Sequence, residues 1–157
     1  MLFRSVRIRV LPSEIHRRTF ALLGADPQVM DLKPAIAAVV DGSLDAQENP
    51  LANTVDYKVH QYHRYHTLSG HSYLSRGLYC NRAQFESWPR ALQAAMQRAC
   101  DAAIKAQREL ATEEEEIARK TIEAAGGAVV ELTAAERTQF VKAVQPLVDE
   151  EIGRAHV

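Results

Sequence analysis

Three groups of residues in this sequence have the types and spacing for chemistry. The first runs from Asp41 to Asn53 and reads DGSLDAQENPLAN. Asp41-Gly42 is a turn pair, Leu44 to Gln47 can make only a short strand, and Glu48-Asn49-Pro50 places a proline where a helix tolerates one, in its first turn. Asn49 then reads as the N-cap. A polar cluster at the carboxyl end of a strand, beside the free N–H groups of a helix start, is a common way for an α/β protein to hold a small anion. The same residues also read as a capped loop.

The second group is Val6-Arg7-Ile8-Arg9-Val10, which alternates apolar and basic. Period two puts Val6, Ile8 and Val10 on a core face and Arg7 and Arg9 together on the opposite one, so the strand delivers guanidinium to its end. The third is His60, His63 and His66. Their spacing invites a metal, but at about 100° per residue a helix spreads positions three apart instead of converging them on one ion. No partner carboxylate is evident, and a solvated face is expected, with no metal and no cofactor. The hydrolase elbow G-x-S-x-G, the zinc-protease H-E-x-x-H and a phosphate-cradling glycine loop are all missing. Glu48 with His71 could form an acid–base pair, yet nothing else points to an enzyme, and the chain is read as non-catalytic.

The elements that must position these residues follow in order. After the strand at Val6 to Val10, Pro12-Ser13-Glu14 opens a helix with Ile15, Thr19, Leu22 and Leu23 on its apolar face and Gly24 at its end. Gln28-Val29-Met30 is a second short strand, and Pro34 starts a helix carrying Ile36, Val39 and Val40. The order β-α-β-α-β implies a mostly parallel sheet with right-handed crossovers. From Asn53 to Tyr65 a polar helix or turn carries the histidines, and Thr67 to Cys80 reads as two extended segments. Asn81 caps a short helix to Trp88. Pro89 starts the longest helix, to about Ala125, with Leu92, Ala95, Met96, Ala99, Ala103, Ala106, Leu110, Ile117 and Ile122 near the helical period. Gly126-Gly127 ends it, Ala128 to Leu132 is a strand, and Thr133 with Glu136 forms a capping box for the last helix.

The whole is 157 residues, 46% hydrophobic and 25% charged with a net charge of −1, which suits about one domain with a real core. That balance predicts no nucleic-acid partner, and apolar runs such as Ala35 to Val40 are too short to insert in a bilayer. Cys80 and Cys100 make no disulfide framework; Cys100 is expected to be a small buried hydrophobe. The run Glu113 to Glu116 reads as a solvated helix face.

Ile8-Arg9-Val10, Leu23-Gly24-Ala25 before a proline, Asp45-Ala46-Gln47-Glu48-Asn49-Pro50-Leu51, Ser69-Gly70-His71-Ser72-Tyr73 and the long alanine-rich helix occur in that order. Together they resemble the solute-binding proteins of tripartite ATP-independent periplasmic (TRAP) transporters, over about Val6 to Glu151. The resemblance implies an extracytoplasmic, periplasmic protein of two lobes that closes on a small organic acid and delivers it to membrane permease subunits. It implies that Arg9 pairs with the substrate carboxylate, that Asn49 faces the ligand beside it, that Leu32 packs on the ligand, and that His71 is a further contact. The expected fold is α/β, a partial periplasmic-binding-protein-like fold: mostly the second lobe, with a mixed or parallel sheet, plus the long lobe-linking helix. In this reading residues 6–80 are mainly the ligand-binding α/β region, and residues 81–151 hold the linking helix and the C-terminal strand and helix.

The chain departs from the family pattern in places. Ala46 stands where a glycine is usual, and Leu32-Lys33-Pro34 replaces an aromatic-Ser-Glu stretch, which changes one pocket wall. The family's first half is not represented. Leu2-Phe3-Arg4-Ser5 and Ile152 to Val157 correspond to what a sequencing adapter encodes on its two strands, so residues 1–5 and 152–157 read as adapter-derived tails on a piece cut at both ends. The alternative is a fragment without function of its own, or a small-molecule or metal-binding module with no role in transport.

Overall fold

The computed structural model describes residues 3–73 and 76–155. These fall into two compact units, Met1–Ser69 with Ala118–Val157, and Gly70–Ile117.

In the first unit, β1 (Arg7–Val10), α1 (Glu14–Leu22), β2 (Asp26–Val29), α2 (Leu32–Val40) and β3 (Ala46–Gln47) realise the expected β-α-β-α-β order. The sheet runs β2-β1-β3, with both pairings parallel. Ser13 caps α1 as its sequence promised, accepting a hydrogen bond from the His16 N–H. The helix ends in two backbone bonds, Ala25 N–H to Phe20 C=O and Gly24 N–H to Ala21 C=O. That closure needs a left-handed residue, and Gly24 supplies it with φ 91°. Pro27 lies in β2, an edge strand, where a missing N–H is tolerated.

The buried faces keep Leu23 and Val39 from the periodic expectation but not Ile15, Leu22 or Val40. At α1 the core residues are Phe20 and, just past the helix end, Leu23, while Ile15 and Leu22 are exposed; in α2 they are Ala35 and Val39, while Val40 is exposed. Both helices are only nine residues long, so whatever packs against each decides which side is covered: β1 and Phe140 for Phe20 and Leu23, Leu44 and Val59 for Ala35 and Val39. Helix α2 also starts earlier than expected, at Leu32 with Asp31 before it, and Pro34 sits inside its first turn. Ile8 and Val10 form one core with Phe20, Leu23 and Phe140. Phe3 packs on that core, edge-on to Phe140 with ring centroids 5.6 Å apart.

After β3 come α3 (Leu51–Asp56), a 3-10 turn (Val59–Gln61) and β4 (Tyr65–Leu68). The polar helix or turn expected over Asn53 to Tyr65 is therefore a short helix and then a 3-10 turn, parted at Lys58, which takes a left-handed conformation with φ 58°. Of the two extended segments expected over Thr67 to Cys80, only Tyr65–Leu68 is a strand among the described residues; Leu74 and Ser75 lie outside them. Strand β4 pairs in parallel with β5 (Ala128–Glu131) as a second sheet. Ala118 and Ile122, near the end of the long helix α5 (Arg90–Ala124), pack with Leu51 as a further core, flanked by Val55, Leu68 and Val129. Gly126 and Gly127 close α5 as Gly24 and Ala25 close α1, with Gly127 N–H bonded to Ile122 C=O and Gly126 N–H to Glu123 C=O.

The capping box opens α6 (Ala134–Ala155): Thr133 N–H donates to Glu136 Oε2 at 2.8 Å and Glu136 N–H to Thr133 Oγ1 at 3.3 Å. Arg18 of α1 pairs with Glu150 of α6 and lies 3.7 Å from Glu151. The second unit contains α4 (Arg82–Ser87), capped by the Asn81 side chain, and most of α5. There Leu92, Met96, Ile104 and Leu110 are exposed, and Cys100 is half-buried instead of fully buried.

Candidate functional site

The parallel sheet brings three chain segments to one edge, the carboxyl ends of β1, β2 and β3, which is where open α/β sheets hold ligands. Arg9 lies opposite Gln28 on one side and Gln47 on the other. Met30 follows β2, and Glu48 and Asn49 follow β3. Of the four residues singled out from the sequence, Arg9 and Asn49 both lie on segments that end at this edge. Leu32, half-buried, opens α2 two residues beyond Met30. His71, also half-buried, belongs to the Gly70–Ile117 unit.

The two arginines of β1 have separate fates. Arg7 is committed to Asp45: its Nη2 lies 2.7 Å from Oδ1, its Nε donates to Oδ2 at 2.9 Å, and its backbone N–H also reaches Oδ2 at 2.9 Å. That clasp holds the Asp45 carboxyl well below the usual carboxylate range, chiefly through the Arg7 hydrogen bonds. Arg9 is only 2% exposed. Its Nε donates to the Met30 carbonyl at 2.9 Å, and among the described residues Nη1 and Nη2 have no hydrogen-bond partner and no acid lies within ion-pair distance. A buried guanidinium without a counter-charge is costly, and two parallel N–H groups match the two oxygens of a carboxylate.

The corner beside it is organised by side-chain amides. Asn49 Nδ2 donates to Gln47 Oε1 at 2.8 Å, Gln47 Nε2 to Thr54 Oγ1 at 3.3 Å, and Thr54 Oγ1 to the Pro50 carbonyl at 3.0 Å. Asn53 Nδ2 lies 3.5 Å from Asn49 Oδ1. Glu48 ties the corner to β1, its N–H donating to Arg9 C=O and its Oε1 accepting from Leu11 N–H, both at 3.3 Å. Asn49 is not the N-cap that the sequence suggested. Helix α3 begins at Leu51, with an extended Pro50 (φ −56°, ψ 154°) at the cap position and no side-chain cap bond, and the Asn49 amide oxygen, the atom a cap would use, faces Asn53 Nδ2. Thr54 and the Met30 carbonyl escaped the sequence reading. Thr54 stands four residues after Pro50, the spacing at which a helical hydroxyl bonds back to a carbonyl, so a signal existed.

The histidines are on three different pieces of chain: His60 in the 3-10 turn, His63 after it and His66 in β4. Burial pushes the His63 and His66 imidazoles down from their ordinary value, opposed for His63 by a hydrogen bond with the Leu44 backbone and by the Asp45 charge. Among the described residues these three do not gather into a metal-holding group.

A β-α-β-α-β sheet with polar strand ends, followed in the chain by a 35-residue helix, matches about half of a TRAP periplasmic solute-binding protein. Solved structures bear this out. A TRAP periplasmic solute-binding protein from Ochrobactrum anthropi, with its C-terminus bound in the ligand-binding pocket, is 28% identical and superposes with a TM-score of 0.82 over 94% of this chain and 46% of its own. One from Bradyrhizobium, in complex with galacturonate, is 25% identical with a TM-score of 0.76, over 94% and 49%. In sequence, the C4-dicarboxylate-binding periplasmic protein DctP of Rhodobacter capsulatus is 28% identical over 149 residues, 94% of this chain and 45% of that protein. The chain matches the bacterial extracellular solute-binding protein family 7 over residues 3–154, and it belongs to that family. It spans about half the length of the relatives it matches.

Proposed function

We propose that the protein to which this chain belongs is the extracytoplasmic receptor of a TRAP transporter, taking up a small organic acid and handing it to the membrane permease without chemical change. The observation that carries this reading is Arg9: a guanidinium 2% exposed, oriented by the Met30 carbonyl, with both terminal nitrogens unpartnered among the described residues. A carboxylate is the counter-charge that this geometry suits, and dicarboxylate and sugar-acid binding by the relatives supports the same class. Asn49 supplies the second polar contact and Leu32 an apolar wall. The family resemblance alone carries His71 as a further contact.

Succinate and galacturonate titrated into the 157-residue chain, followed by side-chain and backbone NMR, test the reading. Binding on the order of millimolar is expected, since a desolvated pair contributes more than an open one. The Arg9 Nε signal and the amides from Gln47 to Leu51 should shift saturably. Arg9→Ala should weaken binding roughly 10- to 100-fold, and Arg9→Lys should fail to restore it. Titrations that move none of these signals, or that Arg9→Ala leaves unchanged, would refute the assignment.

A further inference from the structure

We propose that Thr54 and Gln47 are positioning residues that decide which polar group Asn49 presents at the strand ends, and thereby favour an anionic ligand; the ligand part rests on the reading of Arg9 given above. The chain of hydrogen bonds starts at an atom that can only accept. The Pro50 carbonyl takes the Thr54 hydroxyl hydrogen at 3.0 Å, and Thr54 is 4% exposed, so that hydrogen has little else to do. Towards Gln47, 3.3 Å away, the same oxygen is left as an acceptor. Gln47 must therefore turn its Nε2 to Thr54 and its Oε1 to Asn49. Asn49 in turn must meet that oxygen, at 2.8 Å, with Nδ2. The opposite orientation would set two carbonyl oxygens against each other.

On the far side the Asn53 amide nitrogen approaches Asn49 Oδ1, which favours the same sense. Asn49 is thus left with one Nδ2 hydrogen that has no protein partner among the described residues. A free donor at the same strand ends as the Arg9 guanidinium suits a carboxylate oxygen and disfavours an ammonium group. Four side chains hold that choice, and its anchor is a backbone carbonyl that cannot flip. Neither Thr54 nor Gln47 needs to touch the ligand.

The test compares Thr54→Val, isosteric but without the hydroxyl, with Thr54→Ser, which keeps it, in the 15N-labelled 157-residue chain. Thr54→Val should displace the side-chain amide signals of Gln47 and Asn49 and weaken succinate binding roughly 3- to 10-fold. Thr54→Ser should restore both. Gln47→Leu should displace the Asn49 signals in the same way, which keeps the test decisive if Thr54→Val fails to fold. Asn49 signals unmoved in Thr54→Val and Gln47→Leu would overturn the proposal. So would equal losses in Thr54→Val and Thr54→Ser, or unchanged succinate affinity in variants whose Asn49 signals have moved. If the parent chain ignores succinate, the Arg9 reading fails by itself, and the amide signals still decide whether Thr54 and Gln47 set Asn49.

Discussion

Arg7 and Arg9 stand two residues apart on the same strand, yet one has its guanidinium clasped by Asp45 and the other has two terminal nitrogens unclaimed among the described residues. Arg7 joins the start of β1 to the approach of β3 at the surface. Arg9 is held by a single bond to Met30 at the strand's other end.

Asp45→Asn should lower the thermal midpoint at low salt and leave succinate affinity within error of the parent chain. The clasp is exposed, so the difference should shrink as sodium chloride is added. Melts at two salt concentrations check this. A loss of affinity equal to that of Arg9→Ala would mean that the two arginines act together after all.

Stability should fall on acidification in two stages. His63 and His66 are held below their ordinary value by burial, so their neutral forms belong to the folded state. Their contribution is complete above about pH 6.5 and is lost as pH falls through their lower folded values. Asp45, Glu14, Glu136 and Glu150 are also lowered, each mainly by hydrogen bonding, and their contribution is lost below about pH 4. Urea melts across the acid range check the order. Replacing both histidines with Gln should flatten the first stage and leave the second.

Two glycine substitutions should have opposite signs. A Cβ at Gly127 would lie 2.8 Å from Ile122 Cγ2 and 3.0 Å from its carbonyl oxygen, where α5 turns into β5. Gly127→Ala should destabilise the chain by about 1–3 kcal/mol. Gly153 is inside α6, and a Cβ there meets nothing within 4 Å, so Gly153→Ala should stabilise by about 0.5–1 kcal/mol. Denaturant midpoints measure both.

The order of elements was legible because each boundary carries its own chemistry: Ser13, Asn81 and Thr133 at helix starts, Gly24 and Gly126-Gly127 at helix ends. The buried faces of α1 and α2 were less so. Ile15 and Val40 satisfy a helical period as well as Phe20 and Ala35 do, and only the segments that pack on each helix distinguish them. At the corner, Pro50 marked a helix start, but the assignment of Asn49 as a cap overlooked two nearby amides that compete for it. The split between Arg7 and Arg9 was not visible, since period two assigns both to one face and says nothing of which neighbour lies within reach. Asp45 is thirty-eight residues from Arg7, and the pairing exists only once β3 is laid beside β1.

Pro27 has a consequence for how the chain behaves among copies of itself. Asp26 and Met30 direct their N–H groups inward to Val6 and Val10, so by alternation the ring nitrogen of Pro27 lies on the outer side of β2. A strand arriving there from another molecule would meet a position with no hydrogen to give, in the middle of a four-residue template. The sheet is thereby guarded along that side against growing into an intermolecular ribbon while the chain is crowded or only partly folded.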